Sequence, residues 1–347
     1  MKEKATLKIG DVAKIAGVSP ATVSKVLNNK SGISSHLKAK VLKVVQELNY
    51  QPNRLARSLV SGTTGTLALV IKQSHPHMLN DPFYQEVLHG VESESRNAGY
   101  NLIYKLIESD ADPHESSEFD WESDFSNLCG YTDGIFLVGN DIPAELLEEV
   151  QQRKIPTVLV DNNVSGFNCI MIDNISGAKE LTMRLLNSGK KRIGFIGGDP
   201  ERVSFSERFD GFKLGHMELG IPFCPELVIL KKGTSVDLGY QSARELLKKE
   251  PDLDAMMCAN DKMAVGAMKA LNELGKQIPG EIAVTGFDNI EWSEHANPPL
   301  TTVNVPRYLI GQLAGKRLLE MIANPNTPPY RIIVPVGAVI RQSCGTG

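Results

Sequence analysis

No stretch of this 347-residue sequence approaches about 18 consecutive apolar residues, so no membrane-spanning helix is expected. The N-terminus, MKEKATLKIGDVAKIAG, lacks an apolar segment followed by small residues at a cleavage site, which argues against a secretory signal. Cysteine is scarce: Cys129, Cys169, Cys224, Cys258 and Cys344 are odd in number, widely scattered and form no CxxC pair. That distribution excludes a disulfide framework and fits a reducing, cytoplasmic compartment. The seven histidines form no cluster with metal-ligand spacing, so no metal is expected. Ile196-Gly197-Gly198-Asp199 hints at a nucleotide loop, yet neither GxGxxG nor GxxxxGK[ST] occurs. A Gly-x-Ser-x-Gly elbow is missing as well. The expectation is a non-enzyme with no catalytic residue and no cofactor.

Charge, by contrast, is present and unevenly placed. Residues 1–60 hold 11 Lys and Arg against 3 Asp and Glu, whereas the remainder holds 26 against 38. A basic head on an acidic body suggests that the head meets a polyanion; a basic solvated surface without a partner is the alternative reading.

The head resolves into helices. Ile9, Val12, Ala13, Ile15 and Ala16 recur at helical spacing and stop at Gly17, whose permissive backbone suits a helix exit. Ser19 can cap the next helix, with Pro20 at its first position, where a missing N–H costs nothing. Val23, Val26 and Leu27 give that helix an inward face and leave Thr22, Ser24, Lys25 and Asn28 outside. A third helix is expected from about Ser34 to Leu48, with Leu37, Val41, Leu42, Val45 and Leu48 inside. Three short helices with a tight turn between the first two form a helix-turn-helix, whose second helix enters the major groove of DNA.

DVAKIAGVSPATVSKVLNN, followed by LNYQPNRLARSL, resembles the lactose-repressor/galactose-repressor family of bacterial transcription regulators. By that resemblance Pro20, Ala21 and Lys25 occupy the positions that meet base edges. Thr22, Ser24, Asn28 and Tyr50 fall where the family contacts phosphates or supports the helix. Ser19, Asn53 and Arg57 complete the expected DNA-contacting set. Leu59 aligns with the leucine wedge that kinks the duplex from its minor groove. Of these side chains, only Lys25 is a strong donor to guanine; Ala21 offers apolar contact, and Pro20 reads by shape. One departure is Lys8, which stands where the family usually has a Thr or Ser cap; packing is expected to compensate.

From Gly65 onward short apolar runs alternate with amphipathic stretches, the pattern of parallel sheets covered on both faces. Strands are expected at Thr66–Ile71, Leu102–Tyr104, Gly134–Val138, Thr157–Val160, Ile170–Ile172, Arg192–Ile196, Ala255–Cys258 and Ile282–Phe287. The run is too long for one sheet, so the expected fold is a small all-α headpiece plus an α/β body of two doubly wound parallel-sheet lobes, resembling periplasmic binding proteins. The expected domains are a headpiece over 1–50, a hinge helix and linker over 51–64, and a body over 65–341. Within the body the lobes are expected at about 65–161 and 162–290, with crossovers near 161, 290 and 324.

Ligands of such sheets bind beyond the C-terminal strand ends, here in the cleft between lobes. VDNN, DN-x-x-G-A, RIGFIGG, ER-x-DGF, ANDKMAVGA, VTGFDN and PPLTTV extend the resemblance over nearly the whole body. Its effector-contacting positions fall on Phe83, Asp161, Arg208, Asn260 and Asp288. Carboxylates, an amide and a guanidinium around an aromatic ring suit a polyhydroxylated molecule, and the expected effector is a carbohydrate. Asp261 reads as structural, capping the helix that begins near Met263. Lys232-Gly233-Thr234-Ser235 lacks the aromatic ring that many sugar-binding members carry there, and Trp292 could supply a ring or pack in the core. Glu108–Asp124 holds eight acids and no Lys or Arg, and Trp121, Phe125 and Leu128 could form one helical face against the body.

The expected partners are a pseudo-palindromic double-stranded DNA operator, a small-molecule effector and a second copy of the chain, with no membrane. A regulator answering to a phosphoprotein corepressor is the alternative within the class. A transport-type sugar-binding protein would share the body but would need an export signal and no headpiece.

Overall fold

The computed structural model describes residues 7–27, 32–48, 50, 63–73, 81–108, 121–139 and 142–345. Two compact units emerge, Met1–Gly65 and Thr66–Gly347.

The first unit contains helices α1 (Ile9–Ala16), α2 (Pro20–Leu27) and α3 (Ser35–Glu47). Gly17 leaves α1 in the left-handed region (φ 66°), and the Val18 N–H donates to the Ala13 carbonyl, which fixes the tight turn. Lys8 supplies no side-chain cap. Instead the Asp11 carboxylate accepts from the Lys8 N–H at 2.7 Å, so a side chain inside the helix compensates rather than packing. Val12, Ala13, Ala16, Val23, Val26, Val41, Val44 and Tyr50 form the core. Ile15 and Leu42 are exposed, contrary to the expected faces. The buried stripes follow strict three-four spacing, 9-12-13-16 and 41-44-45-48, and both exposed residues stand off that stripe.

The second unit opens with β1 (Thr66–Gln73), α4 (Pro82–Asn97), β2 (Asn101–Glu108), α5 (Trp121–Gly130), β3 (Gly134–Val138), α6 (Ala144–Gln152), β4 (Thr157–Val160) and β5 (Asn168–Ile172). It continues with α7 (Asn174–Asn187), β6 (Ile193–Gly197), α8 (Val203–Glu218), β7 (Val228–Leu230), α9 (Val236–Lys249), β8 (Ala255–Cys258), α10 (Asp261–Glu273) and β9 (Ala283–Thr285). Last come α11 (Glu291–His295), β10 (Thr302–Asn304), α12 (Arg307–Ala323), β11 (Arg331–Val334) and β12 (Gly337–Val339). A six-stranded parallel sheet runs β11-β5-β4-β3-β1-β2, and a four-stranded parallel sheet runs β7-β6-β8-β9. A two-stranded antiparallel pair, β10-β12, accompanies them. Strands β3, β4, β5, β6, β8 and β9 are buried along their whole length, as strands covered by helices on both faces must be.

The lobe boundaries differ from the sequence expectation. β5 pairs with β4 and β11, so the first crossover lies after Ile172 rather than near 161. The chain returns to the first lobe between β10 and α12, which packs on α4 and on β3 to β5, and it leaves again between β11 and β12. An apolar run does not say which sheet it joins: Asp161 ends a strand but not a lobe, because its N–H donates to the Ile170 carbonyl and draws β5 alongside. The body also extends past 341, since Ser343 Oγ donates to the Val284 carbonyl and accepts from the Thr301 N–H.

Helices α4 and α12 meet at glycines. A Cβ at Gly311 would lie 2.0 Å from the Val87 carbonyl oxygen, and one at Gly90 2.2 Å from that of Tyr308. Only glycine permits that approach. Phe125 of α5 is buried among Ile135, Leu146 and Val150 with Leu128 packed against them, two of the three residues of the expected apolar face; the Trp121 side chain lies outside those described.

Candidate effector cleft and nucleic-acid interface

In the headpiece, Ser19 caps α2: its Oγ accepts from the Thr22 N–H at 3.1 Å and lies 2.9 Å from Thr22 Oγ1. Two of the expected DNA-contacting side chains are thereby used to fix the start of α2. Pro20, Ala21 and Lys25 are exposed, while Thr22 and Ser24 are half-buried. Tyr50 is buried in the headpiece core. Asn28, Asn53, Arg57 and Leu59 lie outside the described residues.

In the body, the candidate site centres on Arg208, one turn inside α8 and 3% exposed. Its Nε donates to Asn174 Oδ1 at 2.9 Å, its Nη1 to the Ala259 carbonyl at 2.6 Å, and its Nη2 lies 3.0 Å from Asp288 Oδ1. The guanidinium also stacks 3.9 Å from the centroid of Phe287. A rigid planar fork thus joins β8, β9 and the α7 start at their strand ends. Asn260 follows Ala259 directly and caps α10, its Oδ1 accepting from the Met263 N–H at 2.9 Å.

Both strand-end aspartates occupy the left-handed region, Asp161 at φ 57° and Asp288 at φ 111°, and Asn289 beside it sits at φ 54°. Such conformations cost about 1–3 kcal/mol each in non-glycine residues and concentrate at ligand sites. Asp161 accepts from Ser204 Oγ at 2.7 Å, which links β4 of the first lobe to the first turn of α8. Phe83, in the first turn of α4, is buried and meets Tyr84 edge-to-face at 5.1 Å. Its N–H donates to Asp81 Oδ1 at 3.0 Å, and the other Asp81 oxygen accepts from Lys262 Nζ at 2.5 Å across the cleft.

Burial pushes the Asp288 carboxyl up to about 6; Arg208 and Arg307 oppose the shift while Asp81 and Asp161 add to it. Burial likewise raises Glu207, whose carboxylate accepts from Asn174 Nδ2 at 2.9 Å. The cleft therefore gathers Asp81, Asp161, Glu207 and Asp288 around Arg208 and Lys262, a field of acceptors with few directed cations. Asp261 is fully buried, with its oxygens accepting from the Ile290 N–H and Thr302 Oγ1. It is structural as expected, but Asn260 rather than Asp261 caps the helix.

Sequence reasoning missed Asn174, Ser204, Glu207 and Lys262. Asn174, Glu207 and Lys262 stood inside recognised motifs, DN-x-x-G-A, ER-x-DGF and ANDKMAVGA; Ser204 carries no signal beyond an ordinary helical turn. Trp292 is 45% exposed, which rules out the core alternative considered for it. Among the described residues no group of carboxylates, histidines and cysteines could hold a metal, and no helix is long and apolar enough to cross a membrane.

Residues 8–53 match the family model for bacterial regulatory proteins of the lacI family, and residues 182–344 match that of the periplasmic binding protein-like domain. The chain is 30% identical over 337 residues to the transcriptional regulator CelR of Thermobifida fusca, covering 96% of each chain. It is 32% identical over 342 residues to the ribose operon repressor of Halalkalibacterium halodurans, covering 98% of this chain and 97% of that one. The chain belongs to the lacI family of bacterial regulatory proteins.

As a lacI-family protein it is a DNA-binding transcription regulator with a helix-turn-helix head and a ligand-binding type of body. The Lac repressor dimer bound to operator and an anti-inducer superposes with a TM-score of 0.83 at 26% identity, over 97% of this chain and 99% of that one. A CelR–cellobiose complex superposes at 0.73 with 29% identity and the same coverage.

Proposed function

We propose that this lacI-family regulator is a repressor whose operator affinity is set by a small polyhydroxylated effector, a sugar or sugar derivative, bound between the lobes. The observation that carries the reading is the Arg208 network, in which one guanidinium buried on Phe287 reaches three strand ends and pairs with the Asp288 carboxylate. Carboxylates and amides accept from vicinal hydroxyls, and the unused guanidinium N–H groups suit ring or hydroxyl oxygens. The similar CelR structure, solved with cellobiose, supports that ligand class. Phe83, Asp161, Arg208, Asn260 and Asp288 make the contacts, and Asn174 and Glu207 hold Arg208 in place.

Two copies dimerise and set two heads on a pseudo-palindromic operator, as the dimeric Lac repressor neighbour suggests. Ser19, Pro20, Ala21, Thr22, Ser24, Lys25, Asn28, Tyr50, Asn53 and Arg57 form the DNA-facing set, with Leu59 as the wedge. The protein works in the cytoplasm and catalyses nothing. Effector binding alters the packing of the first lobes, and operator affinity changes reciprocally with effector affinity. A thermal-stabilisation screen with mono- and disaccharides tests this, because a ligand at about 100 times its Kd stabilises the folded state by about 2.7 kcal/mol. A sugar that raises the melting temperature of the wild type but not of Arg208→Ala supports the reading; stabilisation by phosphorylated carrier protein alone overturns it.

A further inference from the structure

The cleft holds a side-chain tie that the five expected contacts do not include. Lys262 belongs to the first turn of α10, in the second lobe, two residues beyond Asn260. Asp81 precedes α4, in the first lobe, two residues before Phe83. Their ion pair at 2.5 Å is largely buried, with 21% and 15% of the two side chains exposed. The Asp81 carboxylate serves two purposes at once: Oδ1 caps α4 at the Phe83 N–H and Oδ2 accepts from Lys262.

We propose that Asp81 and Lys262 are positioning residues for the effector response, their ion pair fixing the first turn of α4 against the first turn of α10. The inference rests on the effector-cleft reading above. Three lines of geometry carry it. Phe83 and Asn260 flank the pair, so the tie sets the spacing of two candidate ligand contacts that belong to different lobes. Asp81 also lies near enough to Asp288 to raise its pKa, so Lys262 screens one of the carboxylates that crowd the cleft. And α4 packs along α12 through Gly90 and Gly311, so a shift of its first turn is carried by a rigid helix pair rather than absorbed locally. The Ser204–Asp161 hydrogen bond is a second cross-lobe link, but it joins α8 to β4 and leaves α4 untouched.

Hydrogen–deuterium exchange of the full-length protein without added sugar tests the tie, using Asp81→Asn, Lys262→Met, the double variant and Lys262→Arg. Asn at 81 keeps an acceptor for the Phe83 N–H, so it removes the ion pair without removing the cap. Each single charge-removing variant is expected to speed exchange over 83–91 and 261–268 by about three- to tenfold, with the double variant no faster than either. Lys262→Arg keeps wild-type rates. Wild-type exchange in Asp81→Asn, or effects that multiply in the double variant, overturns the proposal; if Lys262→Met does not fold, Asp81→Asn against Lys262→Arg decides alone. Operator affinity measured on the same variants should shift by about fivefold. Faster exchange with unchanged operator affinity leaves the tie standing and refutes the regulatory reading.

Discussion

Replacing Asp261 by Asn tests how the second lobe stores charge. Burial, with the Asp288 charge adding to it, pushes the Asp261 carboxyl from 3.8 up to about 8, while the Thr302 and Ile290 hydrogen bonds and Arg307 oppose the shift. The folded chain therefore keeps a proton that the unfolded chain releases between those values. The stability contributed by that proton is fully present below about pH 4 and is lost as pH rises through 8. Four units at about 1.4 kcal/mol each set a ceiling of about 6 kcal/mol, and proton sharing with Asp288 lowers the observable loss to about 2–3 kcal/mol. Asn fits the protonated geometry: its oxygen accepts from the Ile290 N–H while its amide donates to Thr302 Oγ1, atoms that Asp261 already meets at 2.9 and 2.5 Å. Both tryptophans, Trp121 and Trp292, lie in the body, so urea unfolding followed by tryptophan fluorescence reads this unit without the headpiece. Wild type should lose stability from pH 6 to pH 9, whereas Asp261→Asn should lose less and exceed wild type at pH 9 by about 2 kcal/mol. A flat wild-type profile, or a variant equally destabilised at both pH values, refutes the argument.

Arg208→Ala should abolish the response to an identified effector and leave operator binding without effector within about twofold; a normal response removes Arg208 from the site. It should also destabilise the body by about 3–5 kcal/mol at pH 8, and by less below pH 6, where Asp288 takes up a proton; urea unfolding at both pH values measures the difference. Leu59→Ala should weaken operator binding in an equilibrium titration while effector affinity stays unchanged; unaltered operator affinity excludes a wedge role.

The helix limits of the headpiece are legible because its punctuation is local: Gly17 ends α1, and Ser19 with Pro20 starts α2. The faces are less so, since Ile15 and Leu42 are apolar residues one step off the buried stripe. Buried strands such as Phe136–Val138 and Met256–Cys258 announce themselves as continuous apolar runs. The short strands Val228–Leu230, Thr302–Asn304 and Gly337–Val339 do not, because three residues in extended pairing leave no period to detect. Sheet membership was equally hidden: β5 follows a polar connection that reads as a lobe end. At the site, Asp161, Asn260 and Asp288 were legible as polar residues at strand ends, and Arg208 from the ER-x-DGF motif. Their partners were not: Ser204 looks like any serine in a first helical turn, and Lys262, although inside ANDKMAVGA, reads as a solvated lysine because nothing in the sequence brings Asp81, 181 residues away, beside it. The left-handed backbone of Asp161 and Asp288 leaves no trace in sequence beyond the tolerance of Asp for that region.

Selection of binding sites from random double-stranded DNA, with the full-length protein, tests the central claim most directly. The account predicts one enriched pseudo-palindrome of two half-sites, with affinity that falls steeply with salt as phosphate contacts release counterions, and loss of half-site preference in Lys25→Ala. No enriched sequence, or binding that ignores salt, contradicts it.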